Sequence, residues 1–101
     1  MNELENARQC VASLIAERFD DDWSVWQTGG GYTSLALPLS DGSEIMITSN
    51  EQRFDPCHAP TTLDDDCDAY IHTNHGAEFT EIAVNKPLLE LMEIVYQECD
   101  I

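Results

Sequence analysis

Cations are what this chain has least of: four Lys and Arg stand against twenty Asp and Glu over 101 residues, for a formal net charge of −16. A surface so poor in basic groups has little with which to neutralise phosphate, so direct binding to DNA, RNA or an anionic membrane is not expected. Long apolar runs are missing too. Nothing approaches the ~20 consecutive apolar residues that span a bilayer, and the first residues show no basic region leading into an apolar stretch. There is no Asn-x-Ser/Thr acceptor. These absences together predict a cytoplasmic protein without a membrane partner. The four cysteines, Cys10, Cys57, Cys67 and Cys99, contain no Cys-x-x-Cys pair and are read as reduced thiols, with Cys10 and Cys99 as small core residues. Glycine is sparse as well, and three of the five glycines are contiguous at positions 29–31. No Lys-Ser/Thr follows them and a strand-like run does, so they form a turn and not a phosphate-cradling loop.

The clearest pattern in the chain is the stretch from Trp23 to Ser49. Three runs rich in aromatic, aliphatic and Thr residues are separated by Gly29-Gly30-Gly31 and by Ser40-Asp41-Gly42-Ser43, which predicts an antiparallel three-stranded meander. Leu35, Leu37 and Leu39 alternate with small residues, as do Ile45 and Ile47 with polar ones, so the sheet buries one face. Of Trp23 and Trp26, one belongs to the core and the other is partly exposed. Upstream, Asn2 and Glu5 resemble a capping box, and Leu4, Ala7, Val11, Leu14, Ile15 and Phe19 recur at helical spacing, predicting a helix over 2–19. Downstream, residues 50–68 lose periodicity and read as a loop. Residues 69–73 and 79–84 then read as strands around an Asn74-His75-Gly76 turn. Asn85 as cap and Pro87 in the first turn open a last helix carrying Leu88, Leu91, Met92, Val95, Tyr96 and Cys99 on one side. The predicted architecture is a single α+β domain: the meander plus one or two further strands, with both terminal helices on one face of the antiparallel sheet.

No motif declares a reaction, and an enzyme is not expected. Cys57, His58, Cys67, His72 and His75 include both soft ligand types of zinc, but their spacing lacks the close pairs of a zinc module, so no metal or cofactor is assigned. Asp64, Asp66 and Asp68 match the first ligand positions of a calcium loop. The match ends at Ala69 and His75, where that loop requires Gly and a bidentate Glu. The acids themselves are the candidate site. Asp64, Asp65, Asp66 and Asp68 lie in the long irregular segment, Asp20, Asp21 and Asp22 follow the first helix, and Glu90 and Glu93 line the outside of the last. Rows of anions two apart on extended chain or three to four apart on a helix, at ~5–7 Å, offer a basic protein much the same field as a nucleic-acid backbone. Trp26 and Tyr32 are the aromatic residues placed to add contact area.

The stretch WSVWQTGGGYTSLALPL, followed by an Asp-Gly hairpin and flanked by acidic helices, resembles the small anti-CRISPR proteins of phages and bacterial mobile elements, with Gly30 to Thr33 as the local match. The resemblance implies an inhibitor acting in the cytoplasm of a bacterial host and directed at an RNA-guided complex or its nuclease; the α+β domain itself is expected as a monomer or homodimer. The resemblance carries no catalytic residues. An immunity protein against a nuclease toxin, or another acidic interaction module, would have the same composition.

Overall fold

The computed structural model describes residues 3–29, 31–50, 58–73 and 78–99. Helix α1 (Glu3–Phe19) leads into strands β1 (Ser24–Gly29), β2 (Tyr32–Pro38), β3 (Glu44–Ser49), β4 (Asp66–Thr73) and β5 (Glu78–Pro87), and α2 (Leu88–Glu98) closes the chain. All five strands form one antiparallel sheet in sequence order, so the meander continues through β4 and β5. The Asp41-Gly42 turn is made as its residues dictate. Gly42 takes a φ of 89°, the Asp41 carboxylate accepts from the Ser43 N–H at 2.9 Å and from the Ser43 hydroxyl, and Leu39 N–H reaches the Ser43 carbonyl at 2.8 Å. Those two bonds from Ser43 hold the Asp41 carboxyl below its ordinary range.

Cross-strand pairing places Leu35 opposite Ile47 and Leu37 opposite Ile45, with Ala69 beyond Ile47. This face meets Val11, Ala12 and Ile15 of α1 and Leu88, Leu91, Met92 and Val95 of α2 in one continuous core. Both helices therefore cover the same face of the sheet, and Phe19 stacks on Tyr96 at 4.9 Å where they approach each other. Among the described residues, no helix is long and apolar enough to cross a membrane.

Four details differ from the sequence reading. The buried stripe of α1 runs through Arg8, Val11, Ala12 and Ile15, while Leu4 and Leu14 are about half exposed (54% and 50%) and Cys10 lies at the surface, not in the core. Helical spacing allowed either flank of the Val11–Ile15 row to face inward. Ala12 takes an inward position beside Val11 and Ile15, and Leu14, two residues on and so about 200° further round the helix, faces outward. Second, Asn85 is not a cap. It belongs to β5 with a φ of 56°, a left-handed conformation that Asn tolerates, and α2 starts after Pro87 with no side-chain cap. Its first N–H, at Leu88, is instead satisfied by the Asp65 carbonyl at 2.9 Å, a partner distant in sequence. Third, Asp66 and Asp68 are residues of β4, paired with Pro87 and Thr48 respectively, and not loop residues. Fourth, β2 is buried on both sides, Ser34 and Ala36 included. The expected cap at Asn2, the turn at 74–76 and Cys57 lie outside the described residues.

The rotated face of α1 can be checked by urea denaturation. Leu91→Ala, at a fully buried position, is expected to cost about 2–5 kcal/mol, whereas Leu14→Ala should change stability by no more than about 0.5 kcal/mol. Similar losses at both positions would return Leu14 to the core.

Candidate functional site

The acids expected to form one displayed cluster are divided by the fold. Asp64 is exposed, but Asp65 is buried, and its carboxylate is surrounded by donors: Ser49 Oγ at 3.0 Å and Thr61 N–H at 3.1 Å reach Oδ2, and Thr62 Oγ1 reaches Oδ1 at 2.6 Å. A buried anion is tolerated only with such a set of partners. Asp65 is thus committed to the interior, where it holds the 58–65 segment against the end of β3. Asp68 accepts through Oδ1 from Asn50 Nδ2 at 2.7 Å and from the Asn85 N–H at 2.8 Å, supporting the left-handed residue of β5 while its backbone pairs with Thr48.

A second division occurs after α1. Asp20 adopts a φ of 56° and the Asp21 N–H returns to the Ala16 carbonyl at 3.3 Å, a helix-terminating turn in which Asp stands where Gly is usual. Asp21 then accepts from the Tyr96 hydroxyl at 2.5 Å, and that hydroxyl accepts from Trp23 Nε1 at 3.0 Å. This chain of bonds joins the end of α1, the start of β1 and α2. Burial is the main cause that pushes the Tyr96 phenol up to about 12; the bond to Asp21 adds to it and the bond from Trp23 opposes it. Asp20 and Asp22 remain exposed beside Glu17, around a shallow depression of about 390 Å³. Glu90 and Glu93 are exposed on the outer side of α2.

The sheet face opposite the helices carries a second constellation. Trp26 pairs with Ser34, Ala36 with Met46, Met46 with Tyr70, and His72 with Phe79, so Trp26, Met46, Tyr70 and Phe79 form an apolar band across the strands. Four interstrand steps make it roughly 19 Å wide. None of these residues belongs to the hydrophobic cluster under the helices, and the fully buried Ala36 lies outside that cluster too. Phe79 is 66% exposed, with Tyr70 edge-on and His72 stacked against it, each at 5.8 Å. Carboxylates share the face: Glu44 stands opposite His72, Glu81 opposite Tyr70, and Asp68 opposite Thr48. Burial first, then the charges of Asp68 and Glu81, raise the Tyr70 phenol above its ordinary range. Trp26 donates to Ser24 Oγ at 3.0 Å; Tyr32, the other aromatic singled out in the sequence, lies at a different place, tilted against His58. Phe79, Tyr70 and Met46 were missed in the sequence reading. The alternation of β3 and β4 could have located Met46 and Tyr70, whereas Phe79 is brought to this face by its pairing with His72.

Cys67 is buried in the core, whereas His72 is on the opposite face, so these two candidate ligands do not converge. Among the described residues, no group of three or more metal-ligating side chains is gathered. Comparison of the chain with protein-family models, with curated proteins and with solved structures finds no match.

Two measurements follow from the bonded acids. Asp65→Ala removes the acceptor shared by Ser49, Thr61 and Thr62 and should lower unfolding stability by about 1–3 kcal/mol, against no more than about 0.5 kcal/mol for Asp64→Ala; equal effects would show that Asp65 is ordinary surface. The second concerns alkaline pH. The folded state holds the Tyr96 proton more tightly than the unfolded chain, whose phenols titrate near ~10. The Tyr96 contribution is therefore complete below that pH and is lost as pH rises towards 12. Stability should fall across this window in the parent protein and fall less in Tyr96→Phe; parallel pH profiles would remove Tyr96 from the account.

Proposed function

We propose that this protein is a small acidic inhibitor that occupies the basic nucleic-acid-binding surface of a protein partner. The observation that supports this reading is the unequal exposure of the two signs of charge. Among the described residues every Asp and Glu except Asp65 is at least partly exposed, whereas Arg8, one of only four basic residues in the chain, is buried in the inward stripe of α1. Folding thus presents a surface still more one-sided than the composition. Such a field destabilises the compact state by self-repulsion, and its benefit is fast, oriented encounter with a cationic surface. An RNA-guided complex, the target that the anti-CRISPR resemblance implies, presents a surface of this kind, built from Arg and Lys to hold a phosphate backbone.

The test is capture of the partner by the tagged protein from a host with an active CRISPR system, followed by competition with target DNA across a salt series. Because exposed charges are screened over ~10 Å at 0.1 M salt, association should slow by about tenfold or more from low to physiological salt, and target DNA should displace the inhibitor. A complex indifferent to both salt and DNA would overturn the proposal.

A further inference from the structure

We infer that the helix-free face of the sheet is the docking surface, and that it takes an arginine-bearing segment of the partner, with guanidinium groups stacked on Trp26, Tyr70 and Phe79 and hydrogen-bonded to Glu44 and Glu81, while Asp68, already bonded to Asn50 and Asn85, adds only its charge. The inference rests on the acidic-inhibitor reading and names the interface that reading requires.

Charge complementarity identifies the occupant. The band is apolar and aromatic at its centre and carboxylate at its margins, and strands β1 to β4 contain no Lys or Arg. Lys86, the sheet's one Lys or Arg among the described residues, stands opposite Cys67 at the end of β5 beside α2, away from Phe79. Aromatic faces attract cations, and a planar guanidinium can lie flat on a ring while its fork of N–H groups serves a neighbouring carboxylate. Lysine satisfies only half of this arrangement, since its ammonium is a compact, strongly hydrated point charge. A second copy of the chain is a poorer occupant. An isologous contact would bring Glu44, Asp68 and Glu81 against their own equivalents, a like-charge juxtaposition that disfavours pairing. The width of the face, roughly 19 Å, exceeds the ~10–12 Å diameter of an α-helix, so a single basic helix or strand can be accommodated in full.

The experiment uses the full chain and two probes of equal length, an oligo-arginine and an oligo-lysine peptide, titrated by NMR and calorimetry at matched ionic strength. Oligo-arginine should bind about fivefold or more tightly than oligo-lysine, with the largest shifts at Trp26, Tyr70, His72 and Phe79. Phe79→Ala, at an exposed position, should bring the two affinities together, with Phe79→Tyr restoring the difference. Removing charge at Glu44 and Glu81 (to Gln) should weaken oligo-arginine more than removing it at Glu3 and Glu17 of α1. Equal affinities for the two peptides, or shifts centred on Asp20 and Asp22 or on the outer side of α2, would overturn the inference. So would a concentration-dependent dimer, seen by sedimentation, that Phe79→Ala abolishes. The two proposals fail differently: a DNA-displaceable complex that Phe79→Ala leaves intact sinks the docking face alone, whereas selective arginine binding without a DNA-competed partner sinks the function alone.

Discussion

A buried carboxylate in a chain of net charge −16 has to be surrounded by donors, and the way Asp65 is surrounded organises much of the molecule. Its side chain gathers Ser49 at the end of β3 together with Thr61 and Thr62 of the connecting segment, and its carbonyl accepts from the first N–H of α2. One residue thereby joins the meander, the segment leading to β4 and the start of the last helix. The Asn50 N–H donates to the Asp66 carbonyl at 2.7 Å and extends the same junction into β4. The side chain of Asp65 thus ties residues 61 and 62 to the end of β3, and its carbonyl gives the first N–H of α2 the partner that no side-chain cap supplies.

The second constraint is that both helices lie on one face. The hydroxyl of Tyr96, placed between Trp23 and Asp21, and the stack of its ring on Phe19 hold the two helices together at the sheet's covered side. The other side of the sheet carries no helix and is partly exposed on β1, β3, β4 and β5, while the small side chains of β2 there are buried. On an ordinary one-sided sheet that side would be polar, but here the even-numbered positions of β1, β3 and β4 bring Trp26, Met46 and Tyr70 to it, and Phe79 of β5, paired with His72, ends a band that crosses the strands diagonally. An apolar band bounded by acids is a different object from a uniformly solvated acidic surface. It supplies contact area and desolvated electrostatics together, which a charge field alone does not.

This distinction changes the roles of the acids. Asp65, Asp68 and Asp21 are engaged in holding segments together, and Asp20 terminates a helix. Asp64, Asp22, Glu90 and Glu93 are exposed and contribute to the long-range field. In a chain with so many carboxylates, proximity in sequence says little about which of them meet a partner. What separates them is whether a backbone or side-chain donor already occupies their oxygens.

The sequence by itself determined the fold class, the meander, its turns, the two helices and the sign of the surface, because hydrophobic period, glycine placement and composition are local properties. Alternation shows which side chains share a face, and it was enough to divide Leu35 and Leu37 from Ser34 and Ala36. It does not show which faces will be covered. Whether Leu14 or Ala12 turns inward, whether Asn85 caps a helix or bends a strand, and whether Asp65 is surface or interior were decided only by tertiary structure. The reason is that the deciding partners are remote: Ser49 lies 16 residues from Asp65, Asp68 lies 17 from Asn85, and Asp21 lies 75 from Tyr96. Bonds across such separations form only after the chain has closed on itself, and no local pattern encodes them.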